Sequence, residues 1–274
     1  MKCGKKFSVP FLEMDLAFSC DLACSGCTHY SNYGNKGHVS FDIGGKWLRN
    51  WAKRLTPDTF SMLGGEPMFN PDLLSYLRLA HELWPESERV LISNGLNHAR
   101  HPQLFETLAT THTRLDISFH SYKDVPYLDR FNQSLFEIEK ERHRLGFKLG
   151  FRPSEFTFYR TYQGEGAAMR PYAHNDPLAS WTVCLGKQCM TLHRGLMWKC
   201  PPLAFLELVA GRFGLDAVKD WQPYLAYQPL AASASDVELG VFLRREEESC
   251  CAMCPTRYEY QEHGLVSRLA KRVA

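Results

Sequence analysis

No apolar run in the chain approaches the ~18 residues that a membrane-spanning helix needs. The first fifteen residues, MKCGKKFSVPFLEMD, lack the apolar stretch and small-residue cleavage site of an export signal. An excess of one charge is missing too, since 32 basic against 30 acidic side chains leave a formal charge of +2 over 274 residues. That balance argues against a nucleic-acid binder held by bulk electrostatics, while leaving room for a local basic groove. Repeats and low-complexity tracts are absent, and the apolar (45%) and charged (23%) fractions are those of a globular chain, not of a disordered, collagenous or coiled-coil one. The expectation is a cytoplasmic protein without membrane contact, built as one large domain with or without a small appendage.

Cysteine is absent over 156 consecutive residues, 28 to 183, although the chain holds ten. Cys3 stands alone, Cys20, Cys24 and Cys27 cluster, and Cys184, Cys189, Cys200, Cys250, Cys251 and Cys254 follow. Without an export signal, and with enough chain to build a core unaided, disulfide staples are not expected. Two tight groups in a reducing compartment point instead to two metal or cluster sites.

Between residues 11 and 160 strand-like and helix-like segments alternate. Strands are expected at 11–19, 59–63, 89–93, 115–119 and 148–152, and helices at 42–55, 71–83, 102–109 and 129–145. Such βα repetition means a parallel sheet, open or curled into a barrel. Beyond residue 160 the rhythm breaks. Residues 164–181 read as a long connection, 190–199 as a hairpin turning at Arg194-Gly195, and 202–209 and 236–245 as helices. Residues 180–256 are expected to form a small unit whose core is too thin to stand without metal.

Cys20, Cys24 and Cys27 form C-x3-C-x2-C directly after the first strand. Three thiolates at this spacing can hold three irons of a [4Fe–4S] cube and leave the fourth open. A zinc site would need a fourth ligand, for which His29 is at hand. Gly64-Gly65-Glu66-Pro67 follows the second strand, 37 residues beyond Cys27. With these two motifs in this order the chain resembles the radical SAM superfamily. The resemblance implies a partial (β/α)6 TIM-like barrel with its site at the C-terminal strand ends. It also implies an enzyme that cleaves S-adenosylmethionine (SAM) reductively and uses the 5′-deoxyadenosyl radical to take hydrogen from an unactivated carbon. By position it assigns SAM contacts to Gly64, Gly65, Glu66, Ser93, Asn94 and the segment from Ser118 to His120. Gly26 stands where the family commonly has an aromatic near the adenine, so Tyr30, or His29, is the expected replacement. An external electron donor of the flavodoxin or ferredoxin type is implied as partner.

Cys184 and Cys200 flank the expected hairpin, and Cys251-x2-Cys254 supplies a close pair. This resembles the twitch module behind radical SAM barrels, implying a second, fully ligated [4Fe–4S] cluster with Cys189 and Cys250 as spares. Structural zinc is the competing reading. The implied division is a barrel core at 1–165, a connection at 166–180, the twitch-like domain at 181–256 and a tail at 257–274. Such an auxiliary cluster serves either an oxidation or a redox-neutral rearrangement, which makes the enzyme an oxidoreductase or an isomerase.

For the substrate, four basic residues and seven aromatics interleave between Phe147 and Tyr172. Arg152, Arg160 and Tyr162 are the candidate contacts. This pattern suits an anionic, ring-bearing partner, and core packing explains it equally well. The favoured expectation is isomerisation of an amino-acid-decorated pyrimidine in DNA, as in phage base hypermodification. The alternatives are oxidation or epimerisation of a sugar or aminocyclitol, modification of a ribosomal peptide (disfavoured by a first strand starting near residue 11), and a non-catalytic zinc or iron–sulfur binding module.

Overall fold

The computed structural model describes residues 6–154, 160–172, 175–259 and 263–266. The first half is a run of βα units: β1 (Phe7–Ala17), α1 (Phe41–Ala52), β2 (Leu55–Gly64), α2 (Leu73–Leu83), β3 (Glu88–Ser93), α3 (Leu104–Thr110), β4 (Arg114–Ser118), α4 (Val125–Leu145) and β5 (Leu149–Arg152). Neighbouring strands pair in parallel in the order β5-β4-β3-β2-β1. The expected partial-barrel α/β architecture is met. Helix α4 starts four residues earlier than its apolar spacing suggests. The Asp124 carboxylate caps it by accepting from the Tyr127 N–H, and a proline occupies its first turn.

β1 divides the interior. Leu12, Met14 and Leu16 are fully buried in the core that α1 and α2 share through Leu48, Trp51, Tyr76 and Leu77. The alternate residues Phe11 and Glu13 face the opposite side, where a cavity opens.

The second half joins the same sheet. β6 (Met190–His193) pairs in parallel with β1, on the edge away from β2, and β7 (Leu196–Trp198) and β8 (Leu230–Ala231) continue it antiparallel. The expected hairpin is therefore present, but as an extension of the barrel sheet. Its two-residue turn has positive φ at both Arg194 (52°) and Gly195 (76°), which matches strand twist. Trp51 Nε1 donates to Gly195 O at 3.0 Å and ties that turn to α1. A sixth barrel strand beyond β5 was expected within the aromatic-rich stretch; residues 155–159 of that stretch lie outside the described residues. The sixth parallel strand observed is β6, at the other edge.

Short helices fill the rest: α5 (Pro177–Val183), α6 (Pro201–Phe205), α7 (Glu207–Phe213), α8 (Gln222–Leu225) and α9 (Asp236–Leu243). Helices α6, α7 and α8 with their connections build a second core around Phe205, Val209, Leu215 and Trp221, joined by Tyr30, Tyr33 and Tyr162, whereas α9 packs Leu239 and Phe242 into the first core. Residues 166–180, expected as a plain connection, carry the fully buried Met169 of this core and the start of α5.

Candidate functional site

The loop bearing Cys20, Cys24 and Cys27 leaves the C-terminal end of β1 and is held by the end of β2. Gly65 N–H donates to Ala17 O and Glu66 N–H to Ser19 O, each at 2.8 Å. The Gly64-Gly65 pair is required by this approach. A Cβ on Gly64 would sit 2.3 Å from Ala17 O, and one on Gly65 2.4 Å from Ser19 O. Glu66 is fully buried and accepts from Met68 N (3.0 Å), Ser93 Oγ (2.8 Å) and Asn94 N (2.9 Å), so one carboxylate locks the ends of β2 and β3 together. Burial raises its pKa to about 7. Within the loop, Asp21 accepts from Asn94 Nδ2 (2.8 Å), Asn97 Nδ2 (3.0 Å) and Arg130 Nη2 (3.2 Å), pinning the loop to the β3 end and α4.

These elements enclose a cavity of about 340 Å³ at the C-terminal strand ends. Its wall takes in Cys20, Cys24 and Cys27, then Gly64, Gly65, Ser93, Asn94 and Ser118 from successive strands, and Cys184, Cys189, Cys200 and Cys254 from the second half. Both cysteine groups therefore open onto one space. Burial pushes the Cys20 and Cys24 thiols well above their ordinary range, the neighbouring thiols adding to it.

The cavity also carries charge. Glu13 is 4% exposed, accepts from Thr191 Oγ1 at 2.9 Å, and is raised to about 7 by burial. Beside it His29 Nδ1 lies 2.8 Å from Asp15 Oδ2. Burial opposes charge on that imidazole, but the Asp15 carboxylate outweighs it and holds His29 at about 10. Arg152, at the exposed end of β5, completes the rim. Three further side chains in the wall have buried oxygens without a protein partner: Ser31 Oγ, Asn32 Oδ1 and Thr161 Oγ1. Buried polar atoms in native proteins are satisfied, so these offer hydrogen-bond partners to water or to a polar ligand in the cavity.

The second group converges from three pieces of chain. Cys184 ends α5, Cys200 precedes α6, and Cys251 and Cys254 lie on and after the short turn Ser249–Met253. All four line one small pocket with Ser180 and Trp181. Cys254 O accepts from Ser180 Oγ at 2.9 Å and Asn175 Nδ2 at 2.8 Å. The two spares differ. Cys189 faces the large cavity near Glu13, whereas Cys250 is buried against the second core and lines the small pocket beside the other four, its thiol hydrogen-bonded to Cys251. None of the nine described cysteines is in a disulfide.

Four residues expected as contacts, Glu66, Tyr30, Tyr162 and Arg160, do not line the cavity. Glu66 is absent from the cavity wall, being fully used in the strand clamp. Tyr30 is fully buried, donates to Pro202 O at 3.2 Å and stacks on Tyr162 at 5.5 Å, so both rings are core. Arg160 lies away from the wall, its backbone N–H bonded to Glu259 O. Arg152 alone of the substrate candidates lines the cavity. Glu13 and Asp15 were missed, although two carboxylates alternating through an otherwise apolar strand, FLEMDLA, are a readable signal.

Residues 16–166, over half of the chain, match the radical SAM superfamily. The chain belongs to that superfamily. Among curated proteins none matches its sequence. Among solved structures, this radical SAM chain is similar to BtrN in complex with AdoMet and 2-DOIA, at 13% identity and TM-score 0.52, covering 96% of this chain and 100% of that one. It also matches Streptococcus suis SuiB bound to S-adenosylmethionine (14% identity, TM-score 0.38, 92% of this chain and 72% of that one). A third match is anSMEcpe with AdoMet and the Cp18Cys peptide (15% identity, TM-score 0.39, 52% of this chain). The chain spans 42% of the length of that anSMEcpe chain. At these identities the likeness is one of fold. Membership brings a [4Fe–4S] cluster and SAM as cofactors. The residues present fit both: three thiols on one loop with no fourth cysteine beside them, and an unpartnered Ser31 Oγ against Gly65 in the same wall.

Proposed function

We propose that Cys20, Cys24 and Cys27 hold the [4Fe–4S] cluster and that SAM lies along Gly64, Gly65, Ser93, Asn94 and Ser118. The substrate is a small polar molecule whose hydroxyl or ammonium group donates to Glu13, with Arg152 at the rim and Cys189 alongside. Cys184, Cys200, Cys251 and Cys254 hold a second [4Fe–4S] cluster in a twitch-type module within about residues 181–256, whose β6–β7 hairpin extends the barrel sheet. The carrying observation is one cavity at the C-terminal strand ends whose wall takes in residues of both cysteine groups together with the buried Glu13 carboxylate. When bound, the cluster and SAM supply a 5′-deoxyadenosyl radical able to take a hydrogen atom from a carbon of the substrate. The chain's own part is to orient that carbon, exclude water and accept the substrate's hydrogen bond at Glu13.

This favours oxidation or epimerisation of a sugar- or aminocyclitol-like molecule over isomerisation of a pyrimidine in DNA. The latter drew on the aromatic–basic stretch, whose described members mostly serve the fold. Phe147 stacks on Phe105 at 5.5 Å, Tyr162 is core, Tyr172 is bonded to Glu259, and Arg170 donates to Ala167 O and Met169 O. BtrN, with 2-DOIA bound, is a neighbour that fits this reading. Peptide modification draws only on the peptide-bound neighbours. A flavodoxin- or ferredoxin-type donor and a cytoplasmic setting belong to the same proposal; no helix among the described residues is long and apolar enough to cross a membrane.

The test is anaerobic reconstitution followed by reduction. The protein should bind about eight irons per chain and cleave SAM to 5′-deoxyadenosine, and a panel of aminocyclitols, sugars and modified nucleosides should give product with the first two classes. Zinc in place of iron, or turnover of the nucleosides alone, would overturn the reading.

A further inference from the structure

The sulfur of Cys24 has company that the cofactor chemistry does not by itself demand. His120, two residues past the end of β4, brings Nδ1 to 3.4 Å from Cys24 Sγ. The His263 ring packs against it with centroids 5.9 Å apart. Ligand-type atoms of Cys24, His120 and His263 all lie within 4.8 Å of one another. The backbone carrying each ring is held from a different part of the chain. The His120 backbone N–H donates to the Tyr127 hydroxyl at 2.9 Å, at the start of α4. The segment 263–266 returns to the cysteine loop through Ala23 N–H to Val266 O at 2.9 Å, and the Ser121 hydroxyl donates to Gly264 O. Val266 is fully buried and His263 is 5% exposed, so this C-terminal segment covers the loop on the side of Cys24.

We propose that His120 is a positioning residue for the cluster, its Nδ1–H donating to the Cys24 thiolate while His263 holds the ring in place. The proposal rests on Cys24 being an iron ligand. A ligating sulfur gains electron density when the cluster is reduced, and a donor aimed at it stabilises the reduced state most. The surroundings are buried, so the interaction is poorly screened. The consequence is a cluster that accepts its electron at a higher potential than it would without the imidazole.

The experiment is a redox titration of the reconstituted full chain, followed by EPR. The signal that changes on adding SAM identifies the cluster of the cysteine loop. His120→Leu should shift the midpoint of that signal to lower potential, His120→Asn, which keeps a donor, should recover most of the shift, and His263→Leu should give a smaller shift in the same direction. In unmutated protein labelled with 15N-histidine, pulsed EPR of the reduced cluster should reveal coupling to a histidine nitrogen. That measurement decides the matter if the variants fail to load iron. An unchanged midpoint in a fully loaded His120→Leu protein, or no histidine coupling in the unmutated one, overturns the inference. Loss of any SAM-responsive signal in unmutated protein overturns the ligand assignment beneath it, as does retained zinc bound by Cys24, His120 and His263.

Discussion

The two cysteine groups reach one cavity by opposite routes. The first sits on a single loop whose backbone is bonded to the ends of β1 and β2, with Glu66 and Asp21 fastening it to β3. Its position is determined by the parallel sheet before any metal arrives. The second is gathered from the end of α5, the junction of β7 and α6, and a turn of one 3-10 helix, all short elements. Short helices are marginal alone, and this region leans on the first half for part of its core, through Tyr30, Tyr33 and Tyr162. On the proposed assignment, one cluster site is preformed by a sheet and the other is completed by its metal, within one molecule.

The sharpest way to break this comparison is Cys24→Ala, which should reduce SAM cleavage to background by product assay while leaving the far-UV circular dichroism of the sheet intact. Next, the double substitution of Cys251 and Cys254 by Ala should halve the bound iron, abolish substrate turnover and lower the melting temperature by about 10 °C, because metal ligation here is folding energy. If the melting temperature instead stays put, the second group is as preformed as the first.

Glu66→Ala leaves the Asn94 and Met68 amides and the Ser93 hydroxyl without their acceptor. Orphaned buried donors cost about 1–3 kcal/mol each, partly shared here, so denaturant unfolding should show a loss of about 3 kcal/mol. Cluster loading should fall with it, since the loop loses its clamp.

The smallest effect concerns Glu13. Its carboxyl, raised by burial to about 7, is neutral below that pH and ionised above it. A donating hydroxyl or ammonium binds the ionised form better, so KM should fall as pH rises through about 7. Glu13→Gln should flatten that dependence and raise KM about tenfold at pH 8, equivalent to about 1.4 kcal/mol. The linkage has the opposite sign for folding. A carboxyl whose folded pKa exceeds its unfolded value contributes stability that is complete below about 4.5 and lost as pH rises through about 7. Glu13→Gln should therefore melt higher than the parent at pH 8 and no higher at pH 4.

Much of this was legible in order along the chain. Apolar spacing located β1 to β5 and their helices to within a few residues, because a buried parallel strand and an amphipathic helix each leave a local period. The turn at Arg194-Gly195 announced the hairpin. Its pairing partner was not readable: β6 lies beside β1 because Thr191 meets Glu13 across the sheet, a contact between residues far apart in sequence. The aromatic–basic stretch misled for the same reason, since composition does not reveal that Tyr162 stacks on Tyr30 in a core.

The sequence by itself determined the chemistry: two sets of thiols, a glycine pair before a glutamate, and a βα rhythm, each carried by neighbouring residues. Tertiary structure alone decided that both thiol sets face one cavity, that Glu66 clamps strands while Glu13 faces that cavity, and that the segment bearing His263 returns to cover Cys24. Those facts depend on which distant backbones approach, and approach is governed by packing of whole faces rather than by any local pattern.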